Sequence, residues 1–228
     1  MTEGKARLHH DAMWRLVLDG EIEVMDGSKI AVRAVTVGDS DKREIDDYAR
    51  AAARATYEAA LDATTELYAT RMSPVDAMER KEILDIIKDS ERFLLQRRVV
   101  SEIYPGEVKR EINTVGDSIE QEQDEEKLKA ETEVVRAKWV EDALDSLEEE
   151  YAGVEDEVLR TRVRKIIANN LATVAFSYAY QDYALYCGIR LPDGKRFFGE
   201  VPKNAPERIK DQALALYQEV DPYLFRPT

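Results

Sequence analysis

VLRTRVRKIIANNLATVAFSYAYQDYALYCGIRLPDGKRFF, residues Val158 to Phe198, is the only long stretch apolar enough to make a buried central helix. Leu159, Val163, Ile166, Ile167, Leu171, Val174 and Tyr178 recur at steps of three and four, which on a helix aligns them as one apolar stripe. The pattern breaks at Gly188, and Pro192-Asp193-Gly194 predicts a turn before Phe197 and Phe198. A helix over about 158–187 is therefore the element around which the other segments are arranged.

The totals set the class of molecule. A chain of 228 residues suits one or two domains, and its 44% hydrophobic content is enough for a real core. Against 33 basic residues stand 47 acidic ones, a net charge of −14. Charged residues make up 35% of the chain, where an average domain has roughly 25%. With few glycines and prolines, this predicts long solvated helices. Such a charge opposes general nucleic-acid binding, which needs clustered Lys and Arg, and it repels anionic lipid. It suits a basic or amphipathic protein partner. The single cysteine, Cys187, has no partner for an internal disulfide and fits a reducing cytoplasm. No apolar run is long enough for a membrane span, and the start MTEGKARLHHDAMW lacks the apolar centre of a secretion signal. The expected location is the cytoplasm.

Residues 1–13 read as a flexible start and 14–37 as a small β element. In the latter, Ile30, Val32 and Ala34 alternate with Lys29 and Arg33, and Asp19-Gly20 and Asp26-Gly27 are hairpin-turn signals. The expectation is a hairpin or three-stranded meander leaning on a helix, since so few strands are marginal alone. The remainder, 38–228, reads as one helical domain. Asp39, Ser40 and Asp41 open an alanine-rich helix running from Lys42 to about Arg71. Ser73-Pro74 then caps a second helix over about 74–103, ending at Tyr104-Pro105-Gly106.

The segment 107–157 reads as a charged helical hairpin or linker. Asp117 to Glu133 holds eight acidic residues against two lysines, and Glu141 to Glu157 holds nine with no Lys or Arg. Arg160, Arg162, Arg164 and Lys165 then reverse the sign, so a turn at Gly153 is expected to fold acid against base. A last helix, Glu207 to about Val220, turns Ile209, Ala213, Leu214, Leu216 and Tyr217 inward, and Tyr223-Leu224-Phe225 reads as an exposed apolar end. No fixed-period repeat and no sustained heptad occurs.

Catalytic chemistry is not legible. His9 and His10 are neighbours in a polar segment and cannot both face one metal from a helix. A di-iron carboxylate site needs Glu-x-x-His on two helices, and neither histidine sits in one. Cys187 ends an apolar helix and reads as a packed thiol. Gly188 and Gly194 lack a phosphate-loop pattern, while Asp124-Glu125-Glu126 and Glu148-Glu149-Glu150 read as solvated surface. No enzyme activity, cofactor or metal is expected. Tyr180, Tyr183 and Tyr186, at steps of three, form either core-rim packing or an aromatic face that docks a partner.

Two segments carry a resemblance. The opening strands, Val35-Thr36-Val37-Gly38-Asp39 and the alanine-rich helix resemble the start of tail assembly chaperones of long-tailed bacteriophages. Tyr183-Ala184-Leu185-Tyr186, then Asp193-Gly194-Lys195-Arg196-Phe197-Phe198 and a helix, is similar to the C-terminal part of that family. The acidic middle, 74–157, falls outside it. The resemblance implies a non-enzymatic chaperone that keeps a long helical tape-measure protein soluble during tail assembly, in a host cytoplasm. Candidate partner contacts are Tyr180, Tyr183, Tyr186, Phe197 and Phe198, and the partner is a protein with amphipathic helices. The competing readings are a structural or adaptor protein of a virion and an acidic inhibitor that mimics DNA. Self-association stays open.

Overall fold

A computed structural model describes residues 6–8, 16–102 and 118–221. In chain order the elements are β1 Ala6–Leu8, β2 Leu16–Glu23, β3 Lys29–Val35, α1 Asp39–Leu61, α2 Glu66–Arg71 and α3 Ser73–Asp76. They continue with α4 Arg80–Glu102, α5 Ser118–Tyr151, α6 Asp156–Gly188, β4 Ile189–Arg190 and α7 Glu207–Val220. The fold is mainly α with a small N-terminal antiparallel sheet, as the sequence predicts. Packing divides it into two units, Met1–Ala59 with Asn169–Thr228, and Ala60–Ala168. The helical segment 38–228 thus contributes to both, and its charged part 107–157, where described, lies in the second.

In the first unit the strands lie in the order β1-β2-β3-β4, every pair antiparallel. β1 falls inside the 1–13 segment read as flexible; there its backbone pairs Ala6 with Leu18 and Leu8 with Leu16. The rest of that segment, with His9 and His10, and also Trp14, lies outside the described residues. Of the two Asp-Gly pairs only Asp26-Gly27 turns, with Gly27 at φ +80° and Asp26 accepting from the Ser28 backbone at 2.9 Å. Asp19-Gly20 instead runs straight through β2. A Cβ on Gly20 would stand 2.7 Å from Leu216 of α7, so glycine is there to admit a packed helix and makes no bend.

The core of this unit is made by Leu18 and Ile22 of β2, Val32 and Ala34 of β3, Ile45 of α1, Leu185 and Cys187 of α6, Ile189 of β4, and Ala213 and Tyr217 of α7. α7 has the predicted bounds, and its buried residues, Ala213, Tyr217 and Val220, fall at helical steps. Tyr223-Leu224-Phe225 lies outside the described residues.

The expected helix from Lys42 to Arg71 is interrupted. Asp62 accepts hydrogen bonds from the Thr64 backbone N–H at 2.9 Å and from the Thr64 hydroxyl at 2.8 Å. Thr65 then caps α2 by accepting from Tyr68 N–H at 3.1 Å. The second helix also starts later than predicted: Ser73-Pro74 opens only the single turn of α3, with no side-chain cap. α4 begins at Arg80, where Glu82 accepts from the Glu79 backbone at 2.9 Å. The predicted end at Tyr104-Pro105-Gly106 lies outside the described residues.

The second unit packs α4, α5 and the first half of α6. Val75, Ile83, Ile87, Tyr151, Leu159 and Val163 form one core cluster and Val99, Val140 and Leu144 another. Gly153 does lie in the turn between α5 and α6, but acid does not close on base across it. The basic run pairs elsewhere: Arg162 with Glu91 of α4, and Arg164 with Asp76 of α3 and Glu157 of its own helix. The acids of α5 pair with α4 instead, Glu148 with Lys88 and Glu141 with Arg92. Arg80, at the start of α4, holds the turn itself, donating to the carbonyls of Tyr151 at 2.6 Å and Val154 at 2.9 Å and pairing with Asp156.

The stripe read on the central helix holds over only part of its length. Leu159 and Val163 are buried, but Val174 and Tyr178 are 52% and 65% exposed. In the C-terminal half the buried positions are Ala179, Asp182, Ala184, Leu185, Cys187 and Gly188. The two halves of α6 serve different cores, so no single stripe is required along the whole helix. α6 ends at Gly188, where a Cβ would lie 2.0 Å from the ring of Tyr217. Gly188→Ala is expected to lower stability by about 1–3 kcal/mol through that overlap. Gly153→Ala, which meets nothing within 4 Å at a non-positive φ, is expected to change it by less than about 0.5 kcal/mol. Urea unfolding of the two variants checks both.

Candidate partner-binding surface

The last three turns of α6 carry aromatic side chains at steps of three and four, Phe176, Tyr180, Tyr183 and Tyr186, which places them on one face. Phe176 and Tyr180 stack at 5.7 Å between ring centroids, and Tyr183 meets Tyr186 edge-on at 5.6 Å. From α1, Tyr48 lies 4.8 Å from Tyr183, and the Tyr183 hydroxyl donates to Glu44 at 3.2 Å. The segment after β4 closes over the far end. Arg196 lies over the Tyr186 ring at 4.0 Å, Lys203 over Tyr48 at 5.1 Å, and Phe197 meets Phe198 at 4.9 Å.

Of the five candidate contacts four are half-buried and Phe198 is buried. Tyr180, Tyr183, Tyr186 and Phe197 pack against the core of this unit, and Phe198 is part of that core. Val174 and Tyr178, one turn apart, are the large apolar side chains of this half of α6 that are exposed, and the helical repeat turns them to the side opposite Phe176 and Tyr180. The sequence stripe turned Val174 and Tyr178 inward. Tyr48 was not legible as a member, because its contact with Tyr183 spans much of the chain; Phe176 was, from its spacing of four to Tyr180.

Burial raises the phenols of Tyr180 and Tyr183 above their ordinary value, with Asp46 and Asp221 adding to it at Tyr180, and Cys187 and Glu44 at Tyr183. These hydroxyls are neutral donors at physiological pH. Burial pushes the Cys187 thiol up to about 11, with Asp41 adding to it. That is the opposite of what a nucleophilic thiol requires. Between α6 and α7, the buried Asp182 carboxylate lies 3.8 Å from the Lys210 ammonium. Burial raises Asp182 above its usual value, and Lys210 draws it back.

A shallow pocket of about 480 Å³ lies beside the aromatic residues, lined by the backbone-rich segment from Phe198 to Ala205. Among the described residues no three His, Cys, Asp or Glu side chains are grouped to hold a metal, and no helix is long and apolar enough to cross a membrane. The chain matches no protein-family model, no curated protein and no solved structure.

Two outcomes follow from these environments. Lys210→Ala is expected to cost about 1–3 kcal/mol at neutral pH by leaving a buried carboxylate unpaired, whereas Asp182→Asn costs less. Because the folded-state value of Asp182 lies above the unfolded one, protonation favours the folded state, and that contribution is lost as pH rises through the folded value. The Lys210→Ala deficit therefore shrinks as pH falls through the folded-state value of Asp182, as urea unfolding at several pH values would show. For Cys187, only on the order of one thiol in a thousand is ionised at about pH 8, given its value of about 11. Alkylation by iodoacetamide is expected to be slow in the native protein and fast in urea.

Proposed function

We propose that the protein is a non-enzymatic assembly chaperone of the phage-tail type, which holds an amphipathic helix of a long tape-measure-type protein and keeps that protein in solution. The observation that carries this reading is the apolar pair Val174 and Tyr178, left open to water on the side of α6 turned away from its half-buried aromatic residues. Large apolar side chains one turn apart on a rigid helix present what another amphipathic helix needs, an anchor row at its own repeat. The net charge of −14 keeps such a complex soluble while the anchors are occupied.

A structural role in a virion would use the same helices as scaffold. DNA mimicry is less well supported, because Glu91, Glu141, Glu148 and Glu157 are held in ion pairs with Arg and Lys of their own unit. They do not stand as a free phosphate-like array.

Co-expression with a long helical tape-measure-type protein tests the proposal through the soluble fraction of that protein. The wild type is expected to raise the fraction, and Val174→Asp with Tyr178→Asp is expected to abolish the gain at an unchanged melting temperature, since both side chains are exposed. A soluble fraction indifferent to the wild type overturns the chaperone reading. Recovery of the protein in finished particles favours the scaffold.

A further inference from the structure

The sheet carries a row of charge that neither the core nor the aromatic face uses. Across its strands Asp19 stands opposite Arg33, Arg33 opposite Arg190, and Arg190 opposite Arg196. Directly opposed residues of antiparallel strands share a face, at Cα separations of about 4.5–5.5 Å. The flanking bonds, Phe197 N–H to Ile189 at 3.0 Å and Leu191 N–H to Lys195 at 2.7 Å, make Arg190 and Arg196 a non-hydrogen-bonded pair, the closer of the two kinds.

Three arginines in line are answered by one carboxylate. Arg33 is held by Asp19 at 2.8 Å and also donates to the Pro192 carbonyl at 3.3 Å. Lys195 is matched by Asp193 at 3.0 Å. Among the described residues Arg190 and Arg196 have no carboxylate at ion-pair distance, although the chain carries an excess of acid. Like charges set directly opposite each other destabilise a sheet, and the Arg190–Arg196 pair carries that cost with no carboxylate among the described residues to offset it. Arg196 is also positioned: its guanidinium lies on the Tyr186 ring, which fixes the plane and leaves N–H edges for a carboxylate.

We propose that Arg33, Arg190 and Arg196 form a docking row for an acidic helix of a partner protein, one with carboxylates on successive turns. The repeat of the row, about 5 Å, is close to the 5.4 Å pitch of a helix laid across the strands. A single phosphate group cannot span three such positions. A nucleic acid brings a charge every ~1.7 Å, far more than the row neutralises on a body that repels it. The row would serve a scaffold as readily as a chaperone, so it does not depend on the function proposed above.

The test is fluorescence anisotropy with a labelled alanine-based helical peptide carrying glutamates at i, i+4 and i+8, against a peptide of the same composition with the glutamates spread around the helix. The patterned peptide is expected to bind more tightly, and to weaken with salt. Arg190→Gln with Arg196→Gln is expected to weaken it at least about tenfold. Lys165→Gln, which removes an exposed charge of the other unit, leaves binding as it was. The melting temperature of the double variant reports whether loss of the Arg196 contact with Tyr186 outweighs relief of the like-charged pair; Arg190→Gln alone, which keeps that contact, keeps the test open if the double variant unfolds. Equal binding of the two peptides, retention of binding in the arginine variants, an equal loss in Lys165→Gln, or a single-stranded oligonucleotide competing as well as the patterned peptide would each overturn the proposal.

Discussion

The contact between Gly188 and Tyr217 sets the geometry of the sheet-bearing unit. An aromatic ring pressed against the last residue of a helix leaves no room for a side chain there, so the helix has to end in glycine. The chain then passes directly into Ile189, which is fully buried, and Arg190, which lies beside Arg33. Tyr217 is itself completely enclosed, and burial drives its hydroxyl far above the ordinary tyrosine range, with the Val37 backbone pulling the other way. One ring thus fixes three things: the end of α6, the placement of β4, and the seat of α7 over β2. The aromatic face and the arginine row both take their positions from that arrangement.

The helical unit rests on another kind of constraint. Its helices are long, polar and rich in acid, and what distinguishes one register from another is the distribution of Arg and Lys. Exposed pairs contribute roughly 0–1 kcal/mol each, so Arg162 with Glu91 or Lys88 with Glu148 adds little stability alone. Arg80 is different in kind. Its guanidinium meets several carbonyls at the end of α5 as well as Asp156, occupying groups that a helix terminus leaves without intrahelical partners. A single side chain thereby ties the start of α4 to the turn between α5 and α6.

Much of this was legible in the sequence wherever the signal was local. α7 could be bounded from its apolar period, the β2–β3 turn from Asp26-Gly27, and the α5–α6 turn from Gly153. Legibility failed where a residue's role is set by something distant. Gly20 looks like a turn in sequence and is a strand residue because Leu216, far along the chain, lies over it. Asp62, Thr64 and Thr65 did carry a local signal, an Asx turn followed by a threonine cap, which the high alanine content around it concealed. Val174 and Tyr178 continue a perfect helical stripe and still face water, because periodicity reports which residues could share a face and not where along a helix that face is covered. The aromatic steps of three were visible, whereas Tyr48 and the cross-strand neighbours of Arg190 were not, since strand pairing over such separations leaves no mark on either segment.

The order of the strands bears on how the chain comes to be folded during synthesis. β2 and β3 emerge early, yet β3 obtains its second neighbour only from β4, and the sheet obtains its helical cover from α7 near the end of the described chain. The whole of the other unit, Ala60–Ala168, is made in between. A nascent hairpin with the apolar side chains of Ile22 and Val32 uncovered, and with an unpaired strand edge, must wait through that interval. The intervening unit draws its core clusters from its own segment and can pack while the wait lasts. Completion of the sheet is therefore a late, long-range event, in which β4 and α7 join strands made long before them.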